Sequence, residues 1–430
     1  MDLFQKPLAR SIQGPNLQEW SLSNGTTCVL ASMPDAPLTC LDLWCKAGSA
    51  KELPGEEGLA HFLEHMVFKG SQNLAAGEFD FAIEALGGSS NAATGFDDVH
   101  FYVLVPPDGA VKALELLLNL VLKPQLNENA YSIEREVVLE EIAQYRDQPD
   151  EQVIQKLLQS CWPNHPYGRA ILGQRESLIK SNPKQMRSFH QNHYVGPNIC
   201  LSIAGSIPHN IKELISNSPL STLSSQKEDN ADQKNPRNLT FRKGRQEIFI
   251  PRLESSRLLI AWPMPAANNQ EMIMGADIAT SLLAEGRRSR LVQHLREDLQ
   301  IVESIDMDIT VLEQGSLVVL EACLMENHLE ELEKEITLIL KKALESSLEE
   351  KELLRATQLV RNGLCFNLEA PSQVAAISGN QSLWNRHQAL LEPLKQINEW
   401  SGEALQKRIF PLLQPEMGFI LIARPTKEKP

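Results

Sequence analysis

The chain has 430 residues, 42% hydrophobic and 22% charged, with 41 basic against 55 acidic side chains and a formal charge of −14. That length predicts two or three domains, each able to bury its own core. A net-acidic chain excludes general nucleic-acid binding, which needs a cationic face, and favours cationic ligands such as basic peptides at long range.

No apolar run reaches the roughly 20 residues of a membrane span. The opening MDLFQKPLARSIQGPNL resembles neither a signal peptide nor an Arg-rich transit sequence, so the expected location is cytoplasmic, without a membrane partner. The cysteines, Cys28, Cys40, Cys45, Cys161, Cys200, Cys323 and Cys365, form no CxxC pair and mostly sit in strand-like apolar runs. They are expected to be buried free thiols of a reducing compartment.

In chain order, Thr27 to Ala31 and Cys40 to Trp44 read as short strands. Next comes HFLEHMVFKG, His61 to Gly70, an apolar stretch carrying two imidazoles and a carboxylate. On a helix His61 and His65 share one face, one turn apart, and can converge on one ion. Neutral imidazole is a good zinc ligand. Glu64 lies beside the pair, where its carboxylate can hydrogen-bond a water held by the ion. The HxxEH pattern inverts the HExxH zinc motif. Solvated surface and satisfied core histidines are the other readings of such a helix.

Phe101 to Val105 reads as a strand, and Val111 to Leu118 as a helix. Ser132 to Arg146 is predicted helical, with Ile133, Val137, Val138 and Ile142 as its apolar stripe. Beside that stripe Glu134 and Glu141 stand seven residues apart, nearly two turns, and point the same way, whereas Glu136 and Glu140 do not. Zinc with an open position wants a third protein ligand, often a carboxylate. Glu141 is the candidate, with Glu134 placed to orient a ligand or bound water. An acidic helix of this kind is also an ordinary solvated face.

Ile199 to Gly205 is a further strand. Residues 216–245 have the composition of a linker, dividing an N-terminal zinc-binding domain, 1–215, from a C-terminal repeat without metal, 246–430. Displaced by 222 positions, the halves coincide in pattern. Leu114, Leu117 and Leu118 meet Ile336, Ile339 and Leu340, and Val138 meets Val360. Glu134 meets Ala356 and Glu141 meets Gly363, so the second half lacks the carboxylates.

From Gly55 the text GEEGLAHFLEHMVFKG, then GGSSNAAT, then EREVVLEEI closely resembles the pitrilysin family of zinc peptidases. It is most similar to the branch holding bacterial processing-type proteases and the mitochondrial processing peptidase. The resemblance continues through HPYGRAILGQ, His165 to Gln174, and weakens after the linker. It implies an α+β protein of two homologous domains, each a mixed, mostly antiparallel sheet packed with helices. It also implies a zinc endopeptidase with one Zn²⁺ per chain on His61, His65 and Glu141, where the distance from His65 selects Glu141 over Glu140. Glu64 would be the general base and Glu134 the supporting carboxylate. Gly88 to Ala92 resembles the edge strand to which substrate peptides add, making Asn91 and Ala92 candidate contacts.

One departure stands out. The family's second half carries an Arg and, seven residues on, a Tyr that hold substrate. Here SRLVQHLREDLQIVESI keeps Arg296, but Glu303 occupies the Tyr position and Gln300 that of a preceding Gly. The resemblance then implies the zinc-bearing subunit of a heterodimer whose partner supplies the Arg/Tyr pair. A homodimer and a non-catalytic scaffold subunit are the alternatives.

Overall fold

A computed structural model of the chain describes residues 14–226 and 239–426. The first half builds a six-stranded sheet from β1 (Asn16–Ser21), β2 (Thr27–Ser32), β3 (Thr39–Cys45), β4 (Ser89–Thr94), β5 (Val99–Val105) and β6 (Ile199–Gly205), in the order β1-β2-β6-β3-β5-β4. Only β2 and β6 pair in parallel. The second half builds a five-stranded sheet from β7 (Gly244–Ile250), β8 (Ser256–Met264), β9 (Ser304–Thr310), β10 (Ser316–Leu324) and β11 (Phe419–Pro425), in the order β7-β11-β8-β10-β9. Its one parallel pair is β7 with β11. The second order repeats the first with the outermost strand removed, and the parallel pair falls at the same place. The expected α+β class, with two mixed and mostly antiparallel sheets, is what the molecule has.

The helices of the first half that matter here are α1 (Leu59–Val67), α2 (Glu78–Ala85), α3 (Ala110–Leu122), α4 (Glu128–Asp147), α5 (Pro149–Cys161), α6 (Arg175–Lys180), α7 (Pro183–His193) and α8 (Ile211–Ser216). Those of the second are α9 (Gln270–Ala284), α10 (Leu329–Glu345), α11 (Glu350–Asn367) and α12 (Pro371–Leu383). Helices α4 and α11 start 222 residues apart, and so do α5 and α12, which fixes the repeat in three dimensions.

Alternation along β5 buries Val99, Phe101, Val103 and Val105 in the first core, with Phe62 and Leu63 of α1 and Leu114 and Leu117 of α3. The opposite face of that sheet is covered by α12, a helix of the other half. Its Val374 and Ala375 pack on Ala31, Cys40 and Ala204, and Ser378 bonds Ser202 at 2.9 Å. A Cβ at Gly379 would lie 2.6 Å from Trp44, so only glycine allows this approach. Reciprocally, Val153, Leu157 and Cys161 of α5 pack with Leu259, Ala261 and Leu421 of the second sheet. Each half therefore lends one helix to the other.

Part of the expected linker, residues 227–238, lies outside the described residues. Its described flanks carry structure. Leu220 is fully buried in the first core, and Gly244 and Arg245 open β7.

The apolar stripe expected on α4 is corrected in two places. Val138 and Ile142 are buried, but Ile133 is 68% and Val137 49% exposed. The buried face runs instead through Tyr131, Glu134, Val138, Leu139 and Ile142. Glu134 takes an interior slot because a lysine and a histidine receive its charge there, as described below. All seven cysteines are free, six of them buried and Cys365 half-buried. Among the described residues no helix is long and apolar enough to cross a membrane.

His193, at the end of α7, is buried on the ring of Phe189, and its Nδ1 has no partner among the described residues. Burial, aided by the Lys51 ammonium, pushes its pKa down to about 4. The unfolded chain takes up the proton first, so stability present above the ordinary histidine value of about 6.5 is lost as pH falls towards 4. The expected loss is on the order of 3 kcal/mol. Urea unfolding midpoints between pH 7 and 4.5 should fall, and less steeply in His193→Phe. Equal slopes would rule His193 out.

Candidate metal centre

Helix α1 begins at Gly58, in the left-handed region at φ 96°, with no capping side chain of its own. The cap comes from a distance. Gly58 and Ala60 N–H donate to the two carboxylate oxygens of Glu52, at 3.1 and 2.9 Å, which satisfies donors that a helix start otherwise leaves open. Burial pushes the Glu52 pKa up to about 8, against these two bonds, which lower it. A Cβ on Gly58 would sit 2.5 Å from the Leu172 carbonyl, and one on Gly173 2.2 Å from the Glu57 carbonyl. Glycine at both places lets the HFLEH helix and the HPYGRAILGQ loop touch backbone to backbone.

Leu59, Phe62, Leu63 and Met66 anchor α1 in the first core, and His61 and His65 turn towards α4. Their rings stand edge to face with centroids 4.7 Å apart. Glu141 meets both: Oε2 lies 3.3 Å from His65 Nε2 and Oε1 3.8 Å from His61 Nε2. One ligand atom from each of the three falls within 4.8 Å of the others. Two atoms bound tetrahedrally to zinc at 2.0–2.1 Å are about 3.3–3.4 Å apart. The spacings are long for hydrogen bonds between these groups and suited to sharing an ion. Burial, then the neighbouring His65, pushes the His61 pKa down to about 4. The imidazole is thus neutral, the form that binds metal. The donor set fits Zn²⁺.

His65 is oriented from behind. Its Nδ1 lies 2.9 Å from Glu134 Oε1, and Lys69 Nζ donates to Glu134 Oε2 at 2.8 Å. A carboxylate accepting from Nδ1–H fixes the tautomer that leaves Nε2 free, and raises its basicity as a ligand. His61 has no such support among the described residues, where its buried Nδ1 finds no partner. Replacing Glu134 by Gln should therefore weaken zinc binding about 10- to 100-fold, measured by competition with a chromogenic chelator. Unchanged affinity would remove Glu134 from the centre.

Glu64 faces β4, where the Thr94 hydroxyl donates to its Oε2. Burial pushes the Glu64 pKa up, opposed chiefly by this bond. Among the described residues strand β4 pairs only with β5, which leaves its other edge open. Asn91 is exposed, and its Oδ1 accepts from the Ala92 N–H at 2.9 Å. Ala92 is half-buried against the first core. Strand alternation puts its side chain with Thr94, on the α1 side, and Asn91 on the other. Ile133 and Val137 stand two turns and one turn before Glu141 on α4, exposed beside the cluster.

Arg296 lies in a π-helical segment, Val292–Asp298, and pairs with Glu297 at 2.7 Å. Glu303 is tied to its own half: the Ser255 hydroxyl donates to Oε1 at 3.1 Å and the Cys323 thiol to Oε2 at 3.1 Å. Gln300, in place of glycine, holds a left-handed φ of 54°. No contact among the described residues joins Arg296 or Glu303 to the His61 cluster. Sequence reasoning missed Lys69, Thr94 and Glu52. Lys69 and Glu52 were within reach, four residues after His65 and six before Gly58, whereas Thr94 meets α1 only through tertiary folding.

The family model described as Insulinase (Peptidase family M16) matches residues 27–175, and that described as Peptidase M16 inactive domain matches 180–360. The second span holds Ala356, the counterpart of Glu134, and ends three residues before Gly363, the counterpart of Glu141. An uncharacterized zinc protease of Rickettsia felis is 29% identical over 81% of this chain and 83% of its own length. One of Bacillus subtilis is 26% identical over 89% of this chain and 92% of its own. Among solved structures, a protease from Helicobacter pylori superposes with TM-score 0.87 at 24% identity over 96% of this chain and 100% of its own. A Pseudomonas fluorescens structure described as a peptidase M16 inactive domain gives 0.85 at 18% identity over 96% and 100%. With both of that family's domains matched in order, the chain belongs to peptidase family M16.

Proposed function

We propose that the chain is a zinc metalloendopeptidase that cleaves peptides or unfolded segments with one zinc per chain. The observation that carries this is the convergence of His61, His65 and Glu141 within 4.8 Å, with Glu64 directed at the neighbouring edge strand. Zinc, when bound, supplies Lewis-acid polarisation of the scissile carbonyl and activation of water. Glu64 receives the proton of the attacking water and passes it to the leaving amine. Its Oε2 is held by Thr94, leaving Oε1 for the transfer. Its raised pKa brings it towards the range where a carboxylate works as both base and acid. The open edge of β4 offers backbone hydrogen bonds to an extended peptide, which selects unfolded chain with little sequence demand. Zinc-loaded protein incubated with unstructured peptides should yield internal cleavage products by mass spectrometry, abolished by chelation and restored by Zn²⁺. Intact peptides under all conditions, a related chain added or not, would sink the proposal.

We further place the chain as the zinc-bearing subunit of a heterodimer whose homologous partner carries the Arg/Tyr pair. The supporting observation is Glu303, an anion fastened to Ser255 and Cys323 where a phenol donor is needed. Native mass and turnover, alone and with such a partner, test this. A self-assembled dimer at full activity would replace it with the homodimer. Zinc-free native protein would favour the scaffold reading, which the intact His61, Glu64, His65 and Glu141 oppose.

A further inference from the structure

The hairpin between β4 and β5 turns through Gly95, Phe96, Asp97 and Asp98, closed by the Gly95 N–H on the Asp98 carbonyl at 2.8 Å. Thr94, whose hydroxyl holds Glu64, is the residue before this turn. The first half docks the turn through its backbone. Ser49 N–H donates to the Gly95 carbonyl at 3.0 Å, and Ala50 N–H to that of Phe96 at 2.8 Å. The same segment runs on to Glu52, which caps α1. Turn, cap and base therefore share one frame.

The acidic side chains of the turn reach the other way, across the seam between the halves. Asp98 Oδ2 accepts from Trp384 Nε1–H at 2.8 Å and from Asn380 Nδ2 at 3.1 Å, at the end of α12. Burial pushes the Asp98 pKa up, and the Trp384 bond is the chief influence against it. Asp97 is buried. Its Oδ2 accepts from the Glu313 N–H, between β9 and β10, at 3.0 Å, and its Oδ1 from the Tyr167 hydroxyl at 2.6 Å. Tyr167 packs with α5 on the second sheet, and its hydroxyl accepts from the Gln314 N–H at 3.2 Å. Arg386 ties these donors together by donating to the side chains of both Glu313 and Asn380. A buried carboxylate that loses a donor is left with an unmet charge-assisted bond, so the turn that carries it must shift to find another.

Resting on the peptidase reading, we propose that Asp97 and Asp98, with Tyr167 and Trp384 as their donors, are positioning residues for cleavage: by clamping the turn across the seam they hold Thr94 where its hydroxyl aims the Glu64 carboxylate. The half without metal ligands thereby acts on the base and not on the metal. His61, His65 and Glu141 belong to α1 and α4, off this path. Loosening the clamp leaves the ligands in place and puts Glu64 out of line, and a displacement of about 1 Å can cost on the order of 100-fold in rate. The middle of β4 stays paired with β5, Asn91 with Tyr102 and Ala92 with Phe101, so the edge offered to a peptide is kept.

The test uses full-length, zinc-loaded protein, in the assembly that gives turnover, and a fluorogenic unstructured peptide. Trp384→Phe and Tyr167→Phe each remove one donor and keep a ring. Each should lower kcat about tenfold, with KM within about twofold and zinc affinity unchanged. Asp150→Ala cuts a different bond across the seam, from α5 to Arg257 of β8, and should leave kcat unaltered. In a Thr94→Val background Glu64 has already lost its hold, so adding Trp384→Phe should lower kcat by about twofold at most, whereas independent losses would multiply. Full multiplication, or wild-type kcat in both Phe variants, would overturn the clamp and leave the peptidase reading standing. An equal loss in Asp150→Ala would also overturn it, by reducing the effect to general loosening of the seam. No cleavage by the unmodified protein in any assembly would overturn both.

Discussion

Glu64→Gln is expected to lower peptide cleavage by about 10³-fold, within the 10²- to 10⁴-fold span of general acid–base catalysis. Bound zinc should stay at one per chain. The substitution keeps the shape, and the amide oxygen can still accept from the Thr94 hydroxyl that holds Glu64. What it removes is the ability to take and return a proton. Because Glu64 is not among the three converging ligands, metal analysis and activity should separate cleanly. Activity near the unmodified rate would sink the assignment of Glu64 as base. Loss of zinc along with activity would mean that it contributes to the metal site.

The second large effect concerns the third ligand. Glu141→Ala should weaken zinc binding well beyond the ~10- to 100-fold expected of a supporting residue, whereas Glu140→Ala should leave it unaltered. The two carboxylates are adjacent in sequence, yet only Glu141 comes within 3.3–3.8 Å of both imidazoles. Glu140 is exposed on another side of α4. Zinc titration with a competing chelator decides the matter, and wild-type affinity in Glu141→Ala would overturn the ligand set.

Much of this centre was legible in the sequence because helical periodicity is local. Two histidines four apart must share a face, as must Glu134 and Glu141 seven apart, and both pairs do. The repeat at 222 residues was legible for the same reason, since α4 and α11 carry matching patterns. Periodicity misplaced Ile133 and Val137, because it counts apolar residues and cannot see that paired charges put Glu134 inside. Asn91 and Ala92 were found together as an edge strand, but their assignment to opposite faces needed the register with β5. Thr94, 30 residues from Glu64, answers to no local pattern. It acts on α1 from β4, and residue types alone do not encode that distance.

The lending of α5 and α12 between the halves resembles a domain swap carried out within one chain. Each sheet finds the cover for one face on the far side of residues 227–238, so either half by itself would keep its own core but leave one sheet face bare. Expressed alone, residues 14–226 would expose the face that Val374 and Ala375 cover, and residues 239–426 the face that Val153 and Leu157 cover. Two fragments made together should instead find each other and reconstitute a clipped but whole molecule, held by the exchanged helices and not by the peptide bond between them.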